Sequence, residues 1–222
     1  SGTRSEALDG ETLRAMKKAG CNRLTYAPET GSIATLKRIK KKVKPDRMIK
    51  SIRCAEKEGI SVKSNFIFGF PDQTLYECWE TYKFLFKLAW VGMHDVALFS
   101  FIPYPGSELY EQLKNSGKIP KDPVAYDAFL TKNILGDFSM VSWSDDLSSR
   151  QIKYLLIGAF FWFYGWSFLF RPQRLITTFW RFIRSSPVTT LDILIDGVKR
   201  KFIKGRRSSS AFSQYKFAGS DK

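Results

Sequence analysis

Histidine, cysteine and, toward the C-terminus, acidic residues are what this 222-residue chain has least of. His94 is the single histidine, which excludes a His-rich metal site and gives it the character of a structural hydrogen-bonding residue beside a strand. Cys21, Cys54 and Cys78 are odd in number and too widely spaced for a CxxC or CxxxCxxC loop, so they cannot build a metal or cluster site of their own. They read as reduced, mostly buried thiols of a cytoplasmic protein. The opening Ser1-Gly2-Thr3-Arg4 is not the apolar core of a signal peptide, and a strand–helix–strand unit begins almost at once. The chain is therefore expected to be the C-terminal part of a longer protein. Acidic residues thin out late: from Arg150 onward 14 Lys/Arg stand against 3 Asp/Glu, a net +11 of the whole chain's +15. That places any basic partner surface in the C-terminal third. Anionic lipid, nucleic acid and a phosphorylated substrate all suit it, and charge alone does not choose among them.

What is present is ample for a core: 44% of residues are hydrophobic and 15% aromatic. Leu8 to Gly20 has a helical apolar period, with Asp9 as N-cap and Gly20 at the stop. Residues 22–27 form a first strand, and Ser32 caps a helix through Ile33, Leu36 and Ile39. Pro45-Asp46-Arg47 opens a helix that ends before Gly59, and Ile60 to Phe68 is the second strand. Gln73 to Ala89 is a long aromatic-rich helix, Val96 to Ile102 a third strand, and Glu108 to Ser116 a further helix. Three βα units in succession predict an α/β fold with parallel pairing, either part of a (β/α) barrel or an open sheet. Ligands of such sheets lie where the strand C-termini emerge, which puts Glu29, Asn65 and the Gly69-Phe70-Pro71 turn on one rim.

Residues 121–146 read as a linker and 205–222 as a disordered tail. Between them, 147–204 is a helical extension rich in aromatic and basic residues. Its uncharged stretch 154–170 would be roughly 26 Å long as a helix, just short of a comfortable membrane span. Packing on the barrel or a partner, monotopic membrane contact and a true span all remain open for it. Aromatics beside Arg and Lys between 154 and 207 suit an anionic headgroup surface, with the protein peripheral at the inner face of the membrane.

Four strings occur in order: Tyr26-Ala27-Pro28-Glu29-Thr30-Gly31-Ser32, Leu36-Lys37-Arg38-Ile39-Lys40-Lys41, Phe66-Ile67-Phe68-Gly69-Phe70-Pro71-Asp72-Gln73-Thr74, and Pro103-Tyr104-Pro105-Gly106-Ser107-Glu108-Leu109-Tyr110. Together they resemble the second half of a radical S-adenosylmethionine barrel across residues 4–120. The likeness is to the class with an N-terminal cobalamin-binding domain, which includes the anaerobic magnesium-protoporphyrin cyclase and the hopanoid methylases. The fold it implies is a partial (β/α) barrel followed by an α-helical basic C-terminal extension.

The resemblance also implies a site for S-adenosylmethionine, whose ribose hydroxyls, carboxylate and adenine call for acceptors, a cation and an apolar shelf. Glu29 would accept from the ribose hydroxyls, Asn65 would be a second ribose partner, Lys41 would face the carboxylate, and Phe68-Gly69-Phe70-Pro71 would shelve the adenine. Each has a plain rival: Glu29 as a cap on the following helix, Lys41 as part of a solvated basic face, Asn65 and the Gly-Phe-Pro turn as strand-end chemistry. Gln73 stands where the family commonly has a carboxylate. The family's [4Fe-4S] loop is not among the strings of this chain, so its ligands are expected upstream. The implied activity is radical functionalisation of a C–H bond, methylation or cyclisation, on an apolar or lipid-like substrate, with cobalamin a further cofactor at subfamily level only. A radical tRNA-modifying enzyme and a non-catalytic membrane-associated scaffold are the alternatives. Nucleic acid is the weaker partner, because no compact β-barrel RNA module follows residue 120.

Overall fold

The structure is a computed structural model that describes residues 8–119 and 141–203. Residues 120–140 and the tail from 204 lie outside the described residues, and with them most of the expected linker and all of the expected disordered tail. Chain contacts divide the molecule into two compact units after Ile176.

In the first unit three strands, β1 (Arg23–Glu29), β2 (Ser61–Phe68) and β3 (Asp95–Ser100), pair in parallel in the order β1-β2-β3. Parallel neighbours need crossovers, and the sequence supplies helices between them. Period-two alternation puts Val62, Ser64, Phe66 and Phe68 of β2 on a buried face, and Lys63, Asn65 and Ile67 on a half-buried one. The buried face packs on α3 (Pro45–Lys57) and α4 (Leu75–Val91). Tyr26 hydrogen-bonds Ser51 there, and Phe66 and Phe68 meet Phe84 and Tyr82 edge-on. His94 serves the sheet, as expected: its Nδ1 accepts from the Val62 N–H, while its backbone N–H donates to the Val62 carbonyl.

Helix starts follow the sequence closely. Asp9 caps α1 (Gly10–Lys18), Ser32 caps α2 (Ile33–Arg38) and Ser107 caps α5 (Glu108–Asn115). Thr74 and Glu77 form a reciprocal capping box at the start of α4, in which two backbone N–H groups without a helical partner find side-chain acceptors. Pro45 stands at the first turn of α3, where its missing N–H costs nothing.

After the undescribed segment, α6 (Ser149–Phe170) lies along α4. By length and composition it could cross a membrane, yet one face is packed against the sheet layer. Ile152, Ala159, Phe163, Tyr164 and Ser167 are buried, and Trp162, Trp166 and Phe170 interleave with Trp79, Tyr82, Phe86 and Trp90. Polar ends fix its register: the Tyr82 hydroxyl donates to the Leu155 carbonyl, and the Tyr164 hydroxyl donates to Asp95. Arg171 and Arg174, just beyond α6, donate to carbonyls of residues 89–93 at the end of α4 and ion-pair with Glu56, placing cations on the negative pole of that helix. Burial, then the neighbouring Arg171, push Arg174 down to about 10 against the pull of Glu56.

The second unit holds the body of α7 (Gln173–Arg184) and α8 (Thr190–Ile203). Along α7, Leu175, Ile176, Phe179, Trp180 and Ile183 form one exposed apolar stripe.

Candidate functional site

All three strands point their C-terminal ends to one rim, and a cleft of about 620 Å³ opens there on the half-buried face of the sheet. Glu29 from β1, Asn65 and Ile67 from β2, Phe70 from the turn after β2, and Ser100 to Ile102 at the end of β3 and just beyond it all line it. The volume lies in the range of small-molecule sites. Most of the lining is apolar, with one carboxylate, one amide and three hydroxyls, those of Ser100, Tyr104 and Ser107, as the polar side-chain groups.

Glu29 is held there by its backbone. The register slips between Tyr26 and Glu29, and Glu29 adopts φ +68°, a left-handed conformation that costs a residue with a side chain roughly 1–3 kcal/mol. The following residues keep it so. Thr30 is buried and bonds Thr81 of α4 at 2.9 Å, and the Gly31 N–H donates to the same hydroxyl. A Cβ on Gly31 would lie 2.6 Å from Phe84 and 2.8 Å from the Thr81 backbone, so only glycine lets α4 cross this closely. Capping of α2 falls to Ser32, which leaves the Glu29 carboxylate for Lys41, whose ammonium approaches it at 2.9 Å. Two candidates that the sequence kept apart are thus one ion pair at the rim.

The turn after β2 is built by Gln73. Its Oε1 accepts from the N–H groups of Gly69 (2.7 Å) and Phe70 (3.4 Å), and its Nε2 is buried without a partner. A carboxylate at this place would accept the same two bonds, so the amide preserves the turn. Gly69 has φ +83°, and the place of its missing Cβ is taken by Ile152 of α6, 2.6 Å away. The close approach made at this glycine is therefore that of a helix. Arg38 closes the turn from the other side, donating to both Glu77 oxygens at 2.7 Å and to the Asp72 carbonyl. Burial alone would raise the Glu77 carboxyl, but the Arg38 guanidinium and the Thr74 N–H outweigh it and hold it below its ordinary value.

Of the residues singled out from sequence, Glu29, Asn65 and Phe70 share the cleft and Lys41 reaches it through Glu29. Phe68, Gly69 and Pro71 are not among its lining. Phe68 points to the opposite, helix-covered face of β2, since residues two apart share a face and Phe68 follows Ile67 by one. The aromatic shelf is Phe70 against Phe101 instead, ring centroids 5.1 Å apart, over a cluster with Leu113, Ile119 and Trp143. Sequence reasoning missed Ser100, Phe101 and Leu98. The signal for them was present: the string Ser100-Phe101-Ile102-Pro103-Tyr104 ends β3 as Glu29 ends β1. Among the described residues no group of three or more His, Cys, Asp or Glu side chains could hold a metal ion. Cys78 is buried, and burial followed by the Glu77 charge pushes its thiol up to about 12, which makes it an inert packing residue.

Residues 1–85 match the Radical SAM superfamily. The chain is also 31% identical, over 177 residues, to an uncharacterized methyltransferase from Pyrococcus horikoshii; the alignment takes in 78% of this chain and 34% of that protein. The chain thus spans about a third of the length of the curated relative it matches. Among solved structures, the coproporphyrinogen III oxidase HemN of Escherichia coli, a radical SAM enzyme, aligns with a TM-score of 0.41 and 17% identity over 59% of this chain and 30% of that one. The superfamily match covers β1, β2 and most of α4.

Proposed function

We propose that this chain is the S-adenosylmethionine-holding second half of a (β/α) barrel in a radical S-adenosylmethionine enzyme. The observation that carries this is the convergence of Glu29, Asn65 and Phe70 on one cleft at the C-terminal ends of consecutive parallel strands. In this proposal the Glu29 carboxylate accepts from the ribose hydroxyls, and Lys41 orients it from behind. The Asn65 amide supplies a further hydrogen bond, and Phe70, backed by Phe101, offers the adenine an apolar surface.

S-adenosylmethionine, when bound, would supply a methyl group for methylation or a hydrogen-abstracting 5′-deoxyadenosyl group for cyclisation. The three cysteines, widely spaced and not gathered with other metal-binding side chains, do not fit the superfamily's [4Fe-4S] cluster. Ala27, Ile67, Leu98, Phe99 and Leu109 leave the remaining lining apolar, which supports an apolar or lipid-like substrate. The methyltransferase name of the Pyrococcus relative supports methyl transfer over cyclisation. Cobalamin enters the proposal from the motif likeness alone.

Equilibrium dialysis with S-adenosylmethionine tests it. Glu29→Ala is expected to weaken binding about 10- to 100-fold, the range of a charge-assisted hydrogen bond, and Asn65→Ala about 3- to 10-fold. Affinity unchanged in both variants, or no binding by the unaltered protein, would overturn the assignment.

A further inference from the structure

The α7–α8 hairpin is sorted inside out. Its helices turn polar side chains toward each other: Asp192 and Asp196 of α8 are buried, and Asp192 pairs with Arg181 of α7 at 3.4 Å. The Asp192 carboxylate also accepts from the N–H groups of Val188 and Thr189, and its Oδ1 is buried without a partner. Lys199 reaches across to the Phe182 carbonyl and the Ser185 hydroxyl at the end of α7. Phe182 and Ile195 face the acids, but most of the large apolar residues are outside: Phe179, Trp180 and Ile183 on α7, and Ile193, Leu194 and Val198 on α8, are each half exposed or more. On each helix these fall within one sector about 140° wide, because positions three and four apart share a face.

A hairpin in water gains by the opposite arrangement, since burying apolar surface is the main favourable term and burying a carboxylate is costly. An exterior of this kind is stable where something apolar covers it. Charge says what the cover is. From Thr177 to Lys222 the chain carries 10 Lys/Arg against 3 Asp/Glu. Arg184 lies over the Trp180 ring at the margin of the apolar sector. An apolar sector with a guanidinium at its margin, in a segment of strong net positive charge, matches an anionic bilayer surface, where apolar side chains enter the headgroup boundary and guanidinium groups stay at the phosphates.

We propose that the outer faces of α7 and α8 dock on the surface of an anionic lipid bilayer and hold the protein there peripherally. None of the docking residues named above lines the cleft, and the proposal does not depend on what the cleft binds. Sedimentation of the protein with vesicles tests it, using phosphatidylcholine alone and with phosphatidylglycerol added, at low and high salt. Binding is expected with the anionic vesicles and is expected to weaken at high salt. The exposed-face double variant Phe179→Glu/Ile183→Glu, and independently Leu194→Glu/Val198→Glu, should lower it at least about tenfold, because each removes two side chains' worth of apolar burial. Both should keep the circular dichroism and denaturation midpoint of the parent. Vesicle binding indifferent to these substitutions, or equal on neutral and anionic vesicles at either salt, would overturn the proposal. So would absence of vesicle binding together with a concentration-dependent dimer that the same variants dissociate, which would make a second copy the cover.

Discussion

Around the sheet, Tyr26, Phe66, Phe68 and Phe163 are withdrawn from water and the charged residues stand mostly at the margin. In the α7–α8 hairpin Asp192 and Asp196 are withdrawn, and Phe179, Trp180, Ile183 and Leu194 stand outside. Helix α6 of the first region and α8 of the second both start at a side-chain cap, so local helix chemistry does not separate them. The difference is in the medium each surface is matched to. The sheet region withdraws large aromatic residues into a core, although Trp79, Trp90, Phe161 and Leu169 stay exposed on α4 and α6, whereas the hairpin withdraws two carboxylates and leaves most of its large apolar residues to be covered.

Truncating one aromatic residue on each side of this contrast gives the largest expected effect. Phe163→Ala empties a site with no solvent exposure at the centre of α6 and should cost about 3–5 kcal/mol in denaturant unfolding. Phe179→Ala removes a ring that is 60% exposed and should shift stability by less than about 0.5 kcal/mol. Equal losses at the two positions would abolish the contrast.

A smaller effect sharpens the claim that α6 belongs to the interior of the sheet region. Gly69→Ala meets Ile152 and a left-handed backbone, and should cost about 2–4 kcal/mol. Combining it with Ile152→Ala should cost less than the two singly added, since the shorter side chain relieves the clash. Strict additivity in that cycle would mean that α6 does not press on this turn.

The smallest effect concerns charge. Glu77 is 7% exposed and paired through both oxygens with Arg38, whereas Asp192 is 3% exposed with one oxygen orphaned. Because the folded protein holds Glu77 below its ordinary value near 4.5, it binds a proton less readily folded than unfolded. Its contribution to stability is present above that ordinary value and is lost as pH falls through the lower folded one. Acid unfolding of Glu77→Gln should therefore be shallower than that of the parent in this window, and an unchanged acid limb would contradict the pairing.

Much of the architecture was legible because it is written in short-range signals. Asp9 and Ser32 were legible as caps that bond N–H groups three residues ahead; Thr74, Ser107 and Ser148 cap by the same spacing, and Thr74 moves the start of the long helix from the expected Gln73 to Leu75. The alternation at Ser61 to Phe68 set the strand and its two faces. Of the site, Glu29 and Asn65 were legible as strand-end polar residues. The pairing of Lys41 with Glu29 was not, because a run of lysines gives no sign of which one turns back.

Sequence by itself determined the elements, their parallel order, the basic bias of the last third and the lack of a cluster loop among the three cysteines, since each depends on residues close together or on composition. Tertiary structure alone decided that Phe70 and not Phe68 faces the cleft, that Gly69 yields to Ile152, and that α6 packs along α4. It alone showed that the α7–α8 hairpin buries its acids. These are questions of which side of an element meets which distant neighbour. Periodicity defines two faces for a strand or a helix, and only long-range packing assigns one of them to the interior.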